Sequence, residues 1–178
     1  MKWKVNFFII LLFFTACSEK HNNNHLAIFK YNESAGIATL DPVFARDQAT
    51  VWATNQLFNG LVQLDNNLNV KPSIAKEWYI SNDALVYTFF LRDDVHFHDD
   101  KLFNNGKGRK VIAKDFEYSF SRLIDKNIAA PGAWVLSNVK NFKAENDSTF
   151  SIKLTAPFPA FLSLLSMQYC SVVPQEIV

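Results

Sequence analysis

Two short runs, Val86–Leu91 and Thr149–Leu154, carry the period of two that a pleated strand imposes on its side chains. Tyr87, Phe89 and Leu91 share one face of the first run, with Thr88 and Phe90 on the other; Phe150, Ile152 and Leu154 share one face of the second. Such strands are half-buried, and their apolar face needs a cover. The clearest helical stripe in the chain can supply it: over 113–125, Phe116, Phe120, Leu123 and Ile124 fall on one side. Ala113 is small where that helix meets the sheet, and Asp115 sits in the first turn, where a carboxylate favours the exposed amides. The fold class this implies is mixed α/β (α+β).

Weaker signals fill in the order of elements. A strand is predicted over 26–31, and Leu40-Asp41-Pro42 makes a turn because proline cannot pair in a sheet. A helix over 48–58, with Val51, Trp52, Asn55, Leu57 and Phe58 on its stripe, ends at Asn59-Gly60. A strand over 61–64 and a turn at Asp65-Asn66-Asn67 follow, then a single helical turn over 72–78. Asp93-Asp94 is expected to turn Val86–Leu91 into a neighbouring run over 95–98. Residues 106–110 read as a polar loop, 160–167 as an apolar helix after Pro157-Phe158-Pro159, and 171–173 as a last strand.

Composition narrows the function classes. A formal net charge of +1 gives no argument for a nucleic-acid surface, and only 5 glycines argue against Gly-rich phosphate loops and flexible linkers. With 49% hydrophobic residues in 178, the chain holds enough apolar surface for a core of one domain or a little more.

The first residues are expected to lie outside the fold. Lys2 and Lys4 make a basic start, and 5–14 is apolar except for Asn6. That stretch is shorter than the ~20 apolar residues of a spanning helix and suits the core of a signal peptide, here placed at 1–17. It ends in Phe14-Thr15-Ala16-Cys17, which resembles a bacterial lipobox with Phe14 where Leu or Val is usual. Cys17 is then the lipid attachment point; an ordinary cleaved secretory peptide is the alternative. Acyl chains contribute roughly 0.8 kcal/mol per buried methylene, so several chains anchor stably. Residues 18–25, with three successive asparagines, read as a polar tether. Cys170 has no partner if Cys17 is acylated, and its apolar setting predicts a buried, inert thiol.

From residue 40 onward a series of strings resembles the family 5 solute-binding proteins of bacterial ABC importers. Leu40-Asp41-Pro42 matches that family's early turn, and Leu57-Phe58-Asn59-Gly60-Leu61-Val62 its (L/I)-(Y/F)-(E/N/D)-(G/T)-L signature. Pro72-Ser73-Ile74-Ala75-Lys76-Glu77-Trp78 matches P-x-L-A-x-x-W. The run from Tyr87 through Arg92, Val95 and Phe97 to Asp99 follows Y-x-F-x-L-R-x-(D/G)-V-x-F-(H/S)-D. Val111 to Arg122, Thr149 to Phe161 and Val173-Pro174-Gln175-Glu176 complete seven strings in the family's order. Ile112 departs from the pattern, standing where the family usually has a Thr N-cap. One first-turn amide is therefore predicted to lack its acceptor at a cost of about 1 kcal/mol, partly offset if Val111 and Phe116 pack as a hydrophobic staple.

The resemblance implies the N-terminal part of a two-lobed periplasmic-binding-protein-like fold that closes on its ligand like a flytrap. Residues 26–57 would open the first lobe, 58–168 would form the family's extra small domain, and 169–178 would begin the return. The apolar, unclosed ending reads as a truncation that leaves this return segment exposed. The implied protein is a non-enzymatic, lipid-anchored binding subunit on the periplasmic side of the cell envelope. It would capture oligopeptides or dipeptides for the ABC permease subunits, without a cofactor and as a monomer when full length. A binder of nickel chelates, haem or a sugar is the alternative on the same fold, and a surface lipoprotein without a transport role is another. Ligand contact is expected at Phe44, Ala45, Arg46 and Asp47, partly through the backbone, with Arg46 and Asp47 meeting a peptide's terminal charges.

From a different class comes a metal-dependent hydrolase. His96 and His98, two apart on a strand, would point the same way, and with Asp99 they could ligate zinc or nickel. The resemblance instead puts them on a strand-ending turn. Neither Gly-x-Ser-x-Gly nor His-Glu-x-x-His occurs. Asp93, Asp94, Asp99 and Asp100 read as turn and solvated face, and Trp52, Trp78 and Trp134 as packing residues.

Overall fold

The computed structural model describes residues 28–178, so the signal peptide, Cys17 and the tether lie outside the described residues. Glu33–Val178 forms one compact unit, to which the described residues 28–32 do not belong. The strand predicted over 26–31 is not formed in its described part, 28–31; local apolarity alone does not make a strand, which exists only as a paired partner.

Within Glu33–Val178, a short 3₁₀ turn at Pro42–Phe44 precedes helix α1, Gln48–Leu57. Strands β1 (Val62–Leu64) and β2 (Val70–Pro72) make a small antiparallel pair. Strands β3 (Ala75–Ile80) and β4 (Val86–Leu91) follow, then helix α2 (Ala113–Ile124), β5 (Val139–Asn146) and β6 (Thr149–Leu154). A one-turn helix α3 (Phe161–Leu164) and a 3₁₀ turn at Gln168–Cys170 lead into the final segment. The main sheet has four strands in the order β3-β4-β6-β5, every pair antiparallel.

Register explains the core. Trp78, Phe89, Phe150 and Ala144 form one row across the sheet, and Ile80, Tyr87, Ile152 and Phe142 the next. The alternate rows, such as Tyr79-Thr88-Ser151-Lys143, face away from the core. Helix α2 lies across the apolar rows: Phe120 meets Phe150 edge-on at 5.4 Å and Phe142 at 5.7 Å, and Phe116 meets Phe150 at 5.9 Å. Each such pair contributes about 0.5–1.5 kcal/mol beyond burial alone. The two predicted strands and the predicted helix thus form the centre of Glu33–Val178.

Several expectations are corrected. Residues 72–78 are not a helical turn: the Ala75 amide donates to Leu61 O (2.9 Å) and the Arg92 amide to Ile74 O (2.9 Å), so long-range pairing takes the groups a helix would need. The run over 95–98 does not pair with β4, whose two edges are already taken by β3 and β6. It forms a single bridge, His96 to Lys110, flanked by Phe97 N to Arg109 O at 3.0 Å. Residues 171–173 are no strand either, and the return is exposed only at its end: Cys170, Val172 and Val173 are buried, while 175–178 are exposed. Val172 N donates to Asn59 O (3.0 Å) and Val173 N to Ser119 Oγ (3.0 Å). At the start of α2, Ile112 offers no side-chain cap, but the Asp115 amide takes the Ile112 carbonyl (3.0 Å) and the Ile112 amide takes Asp115 Oδ2 (2.9 Å). The predicted orphan amide is satisfied by a tighter first turn. Val111 and Phe116 are both buried in the same core.

Candidate functional site

The loop singled out by sequence is built between two capped segments. Asp41 closes the first: its Oδ1 accepts the Val43 amide at 3.1 Å, and Phe44 N and Ala45 N return to Asp41 O and Pro42 O. Asp47 closes the second as N-cap of α1, accepting Thr50 N (2.9 Å) on Oδ1 and Thr50 Oγ1 (3.0 Å) on Oδ2. Those two bonds from Thr50, the amide's first, hold the Asp47 carboxyl below its ordinary range. Asp47 therefore serves as the N-cap of α1, with both carboxylate oxygens bonded to Thr50.

Between the caps, the four candidate residues divide. Ala45 is fully buried and its side chain can only anchor the loop. Phe44 shows 40% of its surface, and Arg46 is exposed and makes no salt bridge with a described carboxylate. Phe44, Arg46 and Asp47 line an open depression of about 480 Å³ whose other walls are Ala38, Thr39, Ala129 and Pro131. Sequence reasoning missed that far wall. The string Ala129-Ala130-Pro131-Gly132 carries a turn signal, and Ala129 takes a left-handed φ of 51°. Gly132 is required there, because a Cβ would stand 2.2 Å from Tyr169 Cγ.

A second polar cluster fastens the return segment. Arg109 donates to both oxygens of Asp115 (2.6 and 2.9 Å) and to both of Glu176 (2.6 and 2.9 Å), while its guanidinium lies 5.2 Å above the Phe97 ring. The bonds to Asp115, then to Glu176, raise the Arg109 pKa; Arg109 in turn holds the Glu176 carboxyl low. Asp115 and Glu176 come from two of the strings quoted above, and Arg109 joins them in the folded chain. Cys170 is buried as expected, and burial pushes its thiol up to about 12.

The histidine run does not converge. His96 and His98 are exposed, and Asp99 is already held by Lys107 Nζ (2.6 Å) and Gly108 N (3.0 Å). Among the described residues, no group of three or more His, Cys, Asp and Glu side chains has a metal-holding arrangement. Trp78 packs against the core, whereas Trp52 and Trp134 are half-exposed.

Fold and depression together define a mixed α/β scaffold, a sheet-and-helix body that presents a loop-lined surface. Comparison with known proteins makes this specific. The profile of the bacterial extracellular solute-binding proteins, family 5 (middle), matches residues 69–177. This chain belongs to that family. It is 32% identical over 144 residues to the periplasmic murein peptide-binding protein MppA of Escherichia coli, covering 71% of this chain and 25% of that protein. The probable deoxycholate-binding periplasmic protein YgiS of Escherichia coli is 27% identical over 168 residues, 85% of this chain and 30% of the other. Among solved structures, the periplasmic binding protein DppA from Helicobacter pylori in complex with the peptide STSA superposes with a TM-score of 0.70 at 32% identity, over 79% of this chain and 29% of that one. The chain thus spans less than a third of the length of these relatives.

Proposed function

We propose that this chain is part of the substrate-binding subunit of an ABC importer, a non-enzymatic protein that captures oligopeptides or dipeptides outside the inner membrane for the permease. Family membership, with relatives named for a murein peptide and for bound STSA, is the observation that carries this reading. The loop geometry sharpens it. Arg46, which has no salt bridge among the described residues, meets a ligand carboxylate, while Asp47 caps α1 through Thr50 and steadies the loop. A charge-assisted bond contributes about 1.5–3 kcal/mol, and exposure here favours the low end.

The chain leaves the first lobe and returns to it at one place. Val172 N bonds Asn59 O at 3.0 Å, and a Cβ on Gly60 would sit 3.2 Å from Cys170 O. This supports reading 58–168 as the extra small domain, inserted between first-lobe segments 26–57 and 169–178. That boundary is one of topology, since Glu33–Val178 packs as one unit. Anchoring through Cys17 to the periplasmic side of the envelope is supported by the lipobox-like string and by relatives described as periplasmic.

Calorimetric titration of the full-length gene product with the peptide Ser-Thr-Ser-Ala and, separately, with deoxycholate tests the function. Peptide binding that weakens about tenfold in Arg46→Ala, near 1.4 kcal/mol, is expected. Deoxycholate binding without peptide binding overturns the reading. For the anchor, Cys17→Ser is expected to release the protein from the membrane fraction; a wild-type protein already soluble sinks that part.

A further inference from the structure

We infer that Arg122, on the last turn of α2, is a positioning residue for the ligand loop: it fixes the Asp41 carboxylate and, through it, the turn that presents Phe44 and Arg46. The inference rests on the reading of Phe44–Asp47 as ligand-contacting. Arg122 Nη2 donates to Asp41 Oδ2 at 2.7 Å and Nη1 to Oδ1 at 3.3 Å, a two-pronged contact across 81 positions of sequence. The two side chains are only 14% and 20% exposed. Other ion pairs here, such as Arg92–Asp94 at 47% and 63% and Lys107–Asp99 at 78% and 57%, are open to solvent and to screening.

The pair matters to the loop because Asp41 has a second task. The oxygen that faces Nη1 also accepts the Val43 amide, the bond that caps the Pro42–Phe44 turn. Without the guanidinium, a half-buried carboxylate would keep one amide donor and would turn toward water to regain its solvation. The cap would go with it. Among the described residues Arg46 makes no side-chain bond, so its place is set by the backbone between the Asp41 cap and the Asp47 cap. The Asp47 cap is made with Thr50 of its own helix; of the two caps, the Asp41 one carries an ion pair to α2, beside the anchorage that buried Val43 and Ala45 give the turn. An arginine in the last turn also suits the helix dipole, but an exposed lysine would serve that purpose equally and needs no carboxylate 81 residues away.

Two readouts on the full-length gene product separate this role from simple structural support. In Arg122→Met, amide exchange at Val43, Phe44 and Ala45 is expected to accelerate tenfold or more, with amides of β4 and β6 unchanged; Arg122→Lys, which keeps the charge, should recover part of the protection. Affinity for Ser-Thr-Ser-Ala should fall about tenfold in Arg122→Met, but less than twofold when the same change is made in Arg46→Ala, because both act through one contact. Unchanged loop exchange overturns the inference, as does an equal affinity loss in both backgrounds. A wild-type protein that binds no peptide counts against the proposed function instead, and the exchange experiment still tests the positioning.

Discussion

Removing the Phe150 ring tests the register on which the whole body depends. Phe150 is fully buried, pairs with Phe89 across β4–β6, and is enclosed by Phe116, Phe120 and Phe142 with centroids 5.4 to 6.3 Å away. Deleting a buried Phe costs about 3–5 kcal/mol. Rings from α2 on one side and β5 on another cannot all collapse into the space, and three aromatic pairs are lost, so Phe150→Ala should fall at about 4–5 kcal/mol. At roughly 2–4 °C per kcal/mol for a chain of this size, the melting temperature should drop by roughly 10–15 °C. Phe90→Ala is the control. Phe90 follows Phe89 on the opposite face of β4 and is 36% exposed, so its loss should cost about 1 kcal/mol or less. Urea titration followed by tryptophan fluorescence gives both values, with the denaturant slope expected to stay constant. Equal losses at the two positions, or less than about 2 kcal/mol at Phe150, would refute the assigned faces.

Three further outcomes follow from particular atoms. Gly108→Ala would put a Cβ 1.8 Å from Phe97 O; the His96–Lys110 bridge must open, and a loss of more than about 2 kcal/mol is expected in the urea midpoint, against which unchanged stability would stand. Ala129→Gly relieves a left-handed residue, worth about 1–2 kcal/mol, against about 0.5–1 kcal/mol of added chain entropy; a net gain of about 0.5–1 kcal/mol is expected by thermal melting, and a loss would show that the wall depends on the methyl group. Glu176 has its folded pKa lowered by Arg109 from 4.5, so its contribution is present above the unfolded value and fades as pH falls below about 4.5 through the folded one. Acid-induced exposure of 171–178, followed by amide exchange, should therefore lose its pH dependence in this window in Glu176→Gln; an unaltered profile assigns it to another group.

The candidate site was only partly legible before folding. The loop at Phe44–Asp47 could be named because it follows a recognisable turn, but its two charged residues looked equivalent in the chain. Only the structure separates them: Thr50 lies three residues on and consumes Asp47, while nothing among the described residues consumes Arg46. The far wall at Ala129 and Pro131, and the Arg122 that steadies Asp41, come from more than 80 residues away, and nothing local to either says that it meets this loop.

The same division runs through the fold. Strands β4 and β6 and helix α2 are written in the amino-acid order, because each has one buried face and its apolar residues recur at the period of its own backbone. Strands β3 and β5 are not, for two physical reasons. They lie at the sheet's edges, where Lys140, Lys143, Glu77 and Tyr79 face solvent. They also carry register shifts, between Ala75 and Glu77 in β3 and between Val139 and Asn141 and between Ala144 and Asn146 in β5, and each shift resets the alternation that would have revealed them. Local chemistry chose the central strands and their covering helix. The edges, the buried return at 170–174 and the ion pair behind the loop were decided by partners that meet only once the chain is folded.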